Sequence, residues 1–555
     1  MQGSKALIKT LIEEGTEAIF GIPGGVILPI FDALYDADVR VVLTRHEQGA
    51  IHAADGYARV TGKVGVCIAT SGPGATNLVT GLATAHMDSI PIVAITGQVN
   101  TSLIGRDSFQ EADITGITMP VTKHNYLVKD PDALCSTIRE AFHIASTGPV
   151  LIDVPADITT MDVKNKAEGP VNLKGYKPTV AGHKKQVKNA VKAIMESERP
   201  LLYVGGGVIT SGAWEELVRL ARSLQCPVTH TLMGKGAFPE DDPLSLGMLG
   251  MHGTWTANTA TSTADTIIAV GARFDDRVTG RIERFASDAK IIHIDVDPAE
   301  IGKNVRVAIP IVGDAKNVLK AILKELPSDI EPRKAWLDMV AEWKRMHPLL
   351  YKKDSDDIMP QEVVEMLDEI TNGEAIISTE VGQNQMWACQ YYGVRRPRSW
   401  LSSGGLGTMG YGFPAAVGAQ VGAPDRLVVD IAGDGSIMMN IQELATAVAE
   451  KLPVKIVVLN NSYLGMVRQW QKMFYGGRYS STDLSGNPDL AKIARAFGAE
   501  GISVQNREEL EPSLKKAMTN GRPTLVDVRV SREENVMPMV PKGAALDEMI
   551  EEYKE

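Results

Sequence analysis

Short runs of consecutive aliphatic residues alternate along this chain with longer stretches in which apolar positions recur every three or four residues. The first pattern reads as strands buried on both faces, and the second as helices covering them. Repeated in this order, the two predict an α/β protein with mainly parallel sheets flanked by helices. Three such blocks follow one another. In the first, the strand candidates are AIFGI (18–22), VRVVLT (39–44), VGVCIAT (64–70), IPIVAITG (90–97) and PVLIDV (149–154). The second holds PLLYVGGGV, PVTHTL, TIIAVGARF and KIIHIDVD, and the third AIISTEVG, RLVVDIAGDG, VKIVVLNN and PTLVDVRV. Polar stretches without apolar periodicity separate them. The domains expected are therefore 1–162, 183–330 and 359–530, with linkers at 163–182 and 331–358. The tail, 531–555, reads either as a lid or as a peripheral helix on a polar linker.

Composition narrows the picture. At 555 residues the chain is too long for one hydrophobic core. A hydrophobic share of 44% and a charged share of 23% are ordinary for a globular protein. The net charge of −11 argues against a nucleic-acid partner, whose binding draws on clustered Lys and Arg. No apolar run approaches the roughly 20 residues that a membrane helix needs, so no membrane partner is expected. The N-terminal stretch MQGSKALIKTLIEEGTEAIFGIPGG reads as a helix and a strand, without a signal-peptide core. Cys67, Cys135, Cys226 and Cys389 are scattered and form no C-x-x-C pair. Four buried thiols in a reducing, cytoplasmic setting is the expectation.

The chemistry begins at GDGSIMMNIQELATAVAEKLPVKIVVLNNS (433–462). A strand–helix–strand unit makes its two strands parallel, so Asp434 and Asn461 emerge at one carboxyl edge, where open α/β sheets bind ligands. A carboxylate, an amide oxygen and a nearby backbone carbonyl are hard ligands suited to Mg²⁺. Gly433 and Gly435 let the backbone approach a diphosphate, and the helix expected at 440–450, NIQELATAVAE, offers it free N–H groups. The block resembles the diphosphate motif of thiamine-diphosphate enzymes. Such an enzyme needs a second element: a carboxyl bonded to the aminopyrimidine ring, favouring the tautomer that removes the thiazolium C2 proton. Glu47, in TRHEQGAIHAADGYARVTG, follows a strand and opens a helix. It is flanked by the Gly-rich turns GIPGG and SGPGATN.

With these motifs in view, the chain is similar over nearly its whole length to the catalytic large subunit of the acetohydroxyacid synthase (acetolactate synthase) family. The resemblance implies a pyrimidine-binding first domain, a central FAD-type domain and a diphosphate- and metal-binding third domain. It implies Mg²⁺ on Asp434, Asn461 and the carbonyl of Tyr463. Around the thiamine diphosphate it implies Pro73, Asn77, Gly382, Gln383, Asn384, Gly407, Gly433, Gly435, Ser436, Gly465 and Met466, with Met409 propping the cofactor into a bent shape. Asn384 stands where some relatives carry His. Gly25, Phe109 and Gln110 match residues lining the reaction site. Arg277, in GARFDDRVTG, matches an Arg that pairs with a keto acid's carboxylate, a group its fork suits. Trp470, Met466 and Met251 match a pocket preferring 2-ketobutyrate over pyruvate as acceptor, for which an extra methylene on an indole is worth roughly 1–3 kcal/mol. Gly206, Gly207, Leu232, Met233, His252, Gly271, Arg273, Asp275, Asp295 and Asp314 match a site for structural FAD. Two departures bear on the flavin and on the entrance: no Gly-Arg-Pro precedes GPVLIDVP, and Ala156 replaces the usual Lys.

The activity so implied is a carbon–carbon bond-forming transferase in branched-chain amino-acid biosynthesis. Pyruvate is decarboxylated on thiamine diphosphate, and the two-carbon unit is joined to a second 2-keto acid, giving 2-acetolactate or 2-aceto-2-hydroxybutyrate. The resemblance also implies a homodimer or tetramer with Glu47 of one chain facing Asp434 of another, and it admits a small regulatory subunit. A pyruvate oxidase or 2-keto acid decarboxylase shares the same clamp. A nicotinamide or flavin dehydrogenase reads the Gly-rich loops as dinucleotide turns, but it leaves Asp434, Asn461 and Glu47 without a role. A non-catalytic homologue is disfavoured by the intact Glu47 and clamp.

Overall fold

The computed structural model describes residues 1–164 and 169–552; the parts of the expected linker and tail at 165–168 and 553–555 lie outside the described residues. The strands are β1 (Ala18–Gly21), β2 (Arg40–Leu43), β3 (Gly65–Ala69), β4 (Ile92–Gln98), β5 (His124–Leu127), β6 (Val150–Pro155), β7 (Pro200–Val204), β8 (Val228–His230) and β9 (Ser245–Met248). They continue with β10 (Thr266–Val270), β11 (Lys290–Asp295), β12 (Ile309–Val312), β13 (Ile376–Thr379), β14 (Trp400–Leu401), β15 (Val428–Gly433), β16 (Lys455–Asn460), β17 (Glu500–Val504) and β18 (Thr524–Arg529). Three six-stranded sheets result, ordered β2-β1-β3-β4-β6-β5, β12-β11-β10-β7-β8-β9 and β14-β13-β15-β16-β18-β17. The α/β class with parallel pairing is as expected: β1–β3, β10–β11 and β15–β16, for example, all run parallel.

The strands that the aliphatic pattern missed are β5, β9, β12, β14 and β17, and each lies at a sheet edge. An edge strand has one neighbour, so it need not be apolar on every side. The sequence HNYL of β5 is exposed or half-buried throughout, and β17 is buried only at Val504. β14 is too short, at two residues, to make a visible run.

The chain forms two compact units. One comprises Met1–Tyr176, Ala375–Asn384 and Leu401–Arg529, and the other Lys177–Glu374, Gln385–Trp400 and Val530–Glu555. Within the first unit, helices Glu47–Thr61 and Gly412–Gly422 are buried on almost every face, the mark of interior helices. They cross without side chains between them. A Cβ on Gly56 would lie 2.0 Å from the carbonyl oxygen of Ala415, and one on Gly418 would lie 1.8 Å from that of Ala53. Only glycine permits such an approach. Around this crossing, Ala50, Ala54, Leu82, Phe413, Ala416, Leu444 and Val458 share one hydrophobic core.

The second unit has cores on both faces of its sheet, one containing Leu202, Val228 and Ile292 and the other Tyr203, Leu249 and Phe274. The tail belongs to the latter core through Val540 and Leu546 and carries a single-turn 3-10 helix, Leu546–Glu548. All four cysteines are buried and unpaired with one another, as expected. Among the described residues no helix is long and apolar enough to cross a membrane.

Gly418→Ala is expected to destabilise the apo protein by at least about 1–3 kcal/mol, the usual range for overpacking. A lower thermal midpoint in a calorimetric scan would show it. An unchanged midpoint would mean that the helices separate freely.

Candidate active site

Parallel pairing collects the ends of the strands, and nearly every residue singled out from the sequence follows one of them. In the first sheet Gly25 follows β1, Glu47 follows β2, Pro73 and Asn77 follow β3, and Phe109 and Gln110 lie in the loop after β4. In the third, Gly382, Gln383 and Asn384 follow β13, and Gly407 and Met409 lie after β14. Gly433, Asp434, Gly435 and Ser436 close β15, while Asn461, Tyr463, Gly465, Met466 and Trp470 follow β16.

The third sheet draws its candidates into contact. Asn461 donates its amide to Gln383 Oε1 at 3.1 Å, and Gln383 donates to the buried Gln469 at 2.9 Å. A Cβ on Gly465 would lie 2.0 Å from Gln383 Oε1, so the helix Gly465–Phe474 starts against this pair because no side chain intervenes. Asn384 Oδ1 lies 3.1 Å from the position of a Cβ on Gly433, and Met409 Cε 3.9 Å from one on Gly435. Beyond Gly435 the backbone departs from expectation. The helix expected at 440–450 opens as a 3-10 turn, Ile441–Glu443, preceded by another at Ile437–Met439, and becomes α-helical only at Leu444. The structure thus offers a diphosphate no α-helical N-terminus directly after Gly435.

Asp434 is 2% exposed, and its Oδ2 has no hydrogen-bond partner among the described residues. Burial, with the charge of Asp527 nearby, pushes its carboxyl up to about 7. An orphaned, desolvated carboxylate calls for a cation. Asn461 Oδ1 accepts the Tyr463 N–H at 3.0 Å, and an amide oxygen is a hard ligand of the kind Mg²⁺ takes. The donor set fits a small hard cation beside a diphosphate.

Around the first sheet, Glu47 is the first residue of its helix. Its Oε2 accepts the Asn77 amide at 2.9 Å, and Oε1 lies 3.3 Å from the position of a Cβ on Gly74. Glu47 is half-buried within one chain. Gly25 faces open space, Phe109 is 88% exposed, and Gln110 adopts a left-handed backbone at φ +58°, a strained state for a glutamine. Glu111 braces this loop by accepting the N–H groups of Gly105 and Ser108. From below, Gln98 donates to Ala112 O at 2.8 Å and to Asp153 at 3.0 Å.

The loop carrying Gly407 and Met409 is held from the first sheet's side. Asp88 accepts the N–H groups of Gly404 and Gly405 at 3.2 and 2.7 Å, and Thr84 Oγ1 meets Thr408 Oγ1 at 2.7 Å. Arg59 joins Asp88 at 3.0 Å and Asp55 at 2.5 Å, and Tyr411 donates to Asp55 at 2.6 Å. The fully buried Glu380 accepts from Gly410 and Phe413 at 2.7 and 3.1 Å; burial raises both its carboxyl and that of neighbouring Asp430. Sequence reasoning passed over Asp88, Glu380 and Gln469. Their only signal is an acidic or amide side chain inside an otherwise apolar stretch.

In the second unit the flavin candidates also follow the strands of one sheet: Gly206 and Gly207 after β7, Leu232 and Met233 after β8, His252 after β9, Gly271, Arg273 and Asp275 after β10, Asp295 ending β11 and Asp314 after β12. His252 places Nδ1 3.3 Å from Pro538 O, while Nε2 is buried without a partner among the described residues. Burial lowers this imidazole to about 4, so it is neutral, with its proton on the carbonyl-facing nitrogen. Asp275 caps the turn Asp276–Thr279, which displays an exposed Arg277. Met251 N–H donates to Arg277 O at 2.7 Å and Arg277 reaches Met251 Sδ at 3.9 Å. The tail straps these segments: Val540 N–H donates to Met251 O at 2.8 Å, and Arg284 holds Asp547 and Glu548 at 2.7 and 2.5 Å.

Three parallel sheets, two of them bearing an acid–amide pair and a helix-opening glutamate in one unit, are the frame of a thiamine pyrophosphate enzyme. Family models agree: the N-terminal TPP binding domain of thiamine pyrophosphate enzymes matches residues 1–117, the central domain 187–322 and the C-terminal TPP binding domain 380–528. A probable acetolactate synthase large subunit of Methanocaldococcus jannaschii is 51% identical, covering 99% of this chain and 95% of its own. The acetolactate synthase large subunits of Haemophilus influenzae and Corynebacterium glutamicum are 48% and 50% identical, covering 99% and 98% of this chain and 98% and 89% of theirs. The chain belongs to the acetolactate synthase large-subunit family.

The Phe109 loop gives a pH test. Burial pushes Asp153 up to about 7, against the opposing pull of its bonds to Thr96 and Gln98. A carboxyl raised in the fold stabilises fully below its unfolded value near 4, and that stability is lost as pH climbs through about 7. Melting midpoints of wild type and Asp153→Asn, compared at pH 5 and pH 8, should shift in the variant's favour at pH 8. A constant difference would mean that Asp153 titrates normally.

Proposed function

We propose that this chain forms acetohydroxy acids: pyruvate loses carbon dioxide, and the remaining two carbons join a second pyruvate or 2-ketobutyrate. The observation that carries the reading is the orphaned Asp434 carboxylate beside Asn461 at one sheet edge, in a chain about half identical to acetolactate synthases along its length. When bound, thiamine diphosphate supplies the electron sink that both steps require. Asp434, the Asn461 amide oxygen and the Tyr463 carbonyl would hold Mg²⁺, whose charge would balance the diphosphate. Gly382, Gln383, Asn384, Gly433, Gly435, Ser436 and Gly465 leave room for the phosphate oxygens. Met409, Gly407 and Met466 support the rings.

Glu47 holds a proton at the aminopyrimidine nitrogen, with Asn77 fixing its other oxygen and Pro73 shaping the adjoining turn. Gly25, Phe109 and Gln110 line the reaction space. Because Glu47 is half-buried in one chain, the reading includes a second copy that covers it, in a homodimer or tetramer. Arg277, 3.9 Å from Met251 Sδ, binds the acceptor's carboxylate as a fork, and Trp470 favours the longer acceptor. A structural FAD would be held at the central sheet's strand ends, where His252 Nε2 has no partner among the described residues. The missing Gly-Arg-Pro and Ala156 point to weaker flavin binding. A small regulatory subunit is a compatible further partner.

Glu47→Gln should cut acetolactate formation from pyruvate by about 10²–10⁴-fold, the span of a lost general acid–base group, in an assay run with and without thiamine diphosphate, Mg²⁺ and FAD. Turnover independent of thiamine diphosphate would overturn the function itself. Asp434→Asn should abolish Mg²⁺-dependent thiamine diphosphate binding in calorimetry while leaving the apo melting midpoint equal or higher, since a buried carboxyl with one unpartnered oxygen has been removed.

A further inference from the structure

Glu443 has no part in the chemistry above, yet it is buried at 1% exposure and fully engaged. It ends the short 3-10 turn Ile441–Glu443, in the same GDG-to-NN stretch as Asp434. Its carboxylate accepts the Arg45 N–H on both oxygens, at 3.0 and 3.2 Å, and the His46 N–H at 3.0 Å. The Thr446 hydroxyl donates to Oε2 at 2.6 Å. A Cβ on Gly49 would lie 2.4 Å from Oε1, so the carboxylate wedges beneath the first turn of the helix opened by Glu47.

The physical consequence concerns Glu47. Amides at the start of a helix are unsatisfied and carry its positive end, so a carboxylate there is held by hydrogen bonds and by the dipole together. Arg45 and His46 immediately precede Glu47, so fixing both their N–H groups fixes where the Glu47 side chain leaves the backbone. The ring of His46 caps the same helix through the Gln48 N–H at 3.1 Å, which leaves its own amide to Glu443. Burial raises the Glu443 carboxyl above its ordinary range, and the bonds from Thr446, Arg45 and His46 counter only part of that shift. A glutamine would keep the shape, but its NH₂ would face an N–H in place of one acceptor oxygen.

We infer that Glu443 is a positioning residue: its carboxylate sets the backbone at Arg45–His46 and thereby the reach of Glu47 toward the aminopyrimidine ring. The inference rests on the role proposed for Glu47, and its test separates the two. In apo Glu443→Gln, hydrogen exchange followed by mass spectrometry should show the amides of 45 and 46 exchanging at least about ten-fold faster, with peptides remote from residues 43–52 unchanged. In the Mg²⁺–thiamine diphosphate holoenzyme, deuterium exchange at the bound cofactor's C2, read by quench NMR, should slow at least about ten-fold, since a misplacement near 1 Å costs up to about 100-fold. The KM for pyruvate should stay within about three-fold, because Glu443 binds no substrate.

Glu47→Gln is the reference. If it leaves C2 exchange at the wild-type rate, the assignment of Glu47 falls and the positioning role with it. If Glu47→Gln abolishes exchange while Glu443→Gln leaves amide and C2 exchange at wild-type rates, the positioning role alone is overturned. Should Glu443→Gln not fold, Thr446→Val, which removes one of the three donor groups, replaces it in both measurements; a smaller slowing of C2 exchange supports the inference, and no change overturns it.

Discussion

Two helices touching backbone to backbone hold the first unit together. With no Cβ at Gly56 or Gly418, the carbonyls of Ala415 and Ala53 meet the facing helix directly, and the elements leading into these helices inherit that alignment. One is the start of the Glu47 helix; the other is the loop at 402–411 that precedes Gly412. Each is then gripped by acidic side chains contributed from the opposite sheet's side: Glu443 takes the amides of 45 and 46, and Asp88 those of 404 and 405. Buried carboxylates in such number would be costly if unpaired, but Arg59, Tyr411 and backbone N–H groups satisfy them. By contrast, one oxygen of Asp434 and both of Asp430 have no hydrogen-bond partner among the described residues.

The core of the fold could be read from the sequence because central parallel strands are covered on both faces and must be aliphatic throughout. The strands IVAITGQ and KIVVLN are fully buried and announce themselves. Edge strands carry no such obligation. β5 and β17 pair on one side only, expose much of their length and blend into the polar sequence around them. Their existence follows from backbone groups finding partners, which leaves little trace in side-chain type.

The candidate site divides along a similar line. Asp434, Asn461 and Glu47 were visible because each stands at a strand's end with glycines or a helix start beside it, a local arrangement that sequence records. Glu443, Asp88 and Glu380 were not visible. They act on backbone amides distant in sequence, and an amide has the same chemistry whatever residue carries it. Gln110 was singled out through its match to the family, whereas its left-handed backbone appears only in three dimensions. The late start of the α-helix expected from 440 shows the remaining limit: the sequence of Ile441–Glu443 suits either helical form, and packing chooses the 3-10 turn.

The four enclosed cysteines turn the molecule into its own clock. Cys67 and Cys135 lie within the first unit and Cys226 and Cys389 within the second. Burial drives the Cys67 thiol far above its ordinary range and those of Cys226 and Cys389 up to about 12. The reactive thiolate is therefore scarce at these three until their surroundings part. An alkylating reagent would mark each sulfur at the rhythm with which its own neighbourhood breathes, so two halves of one chain can be timed separately without any added label.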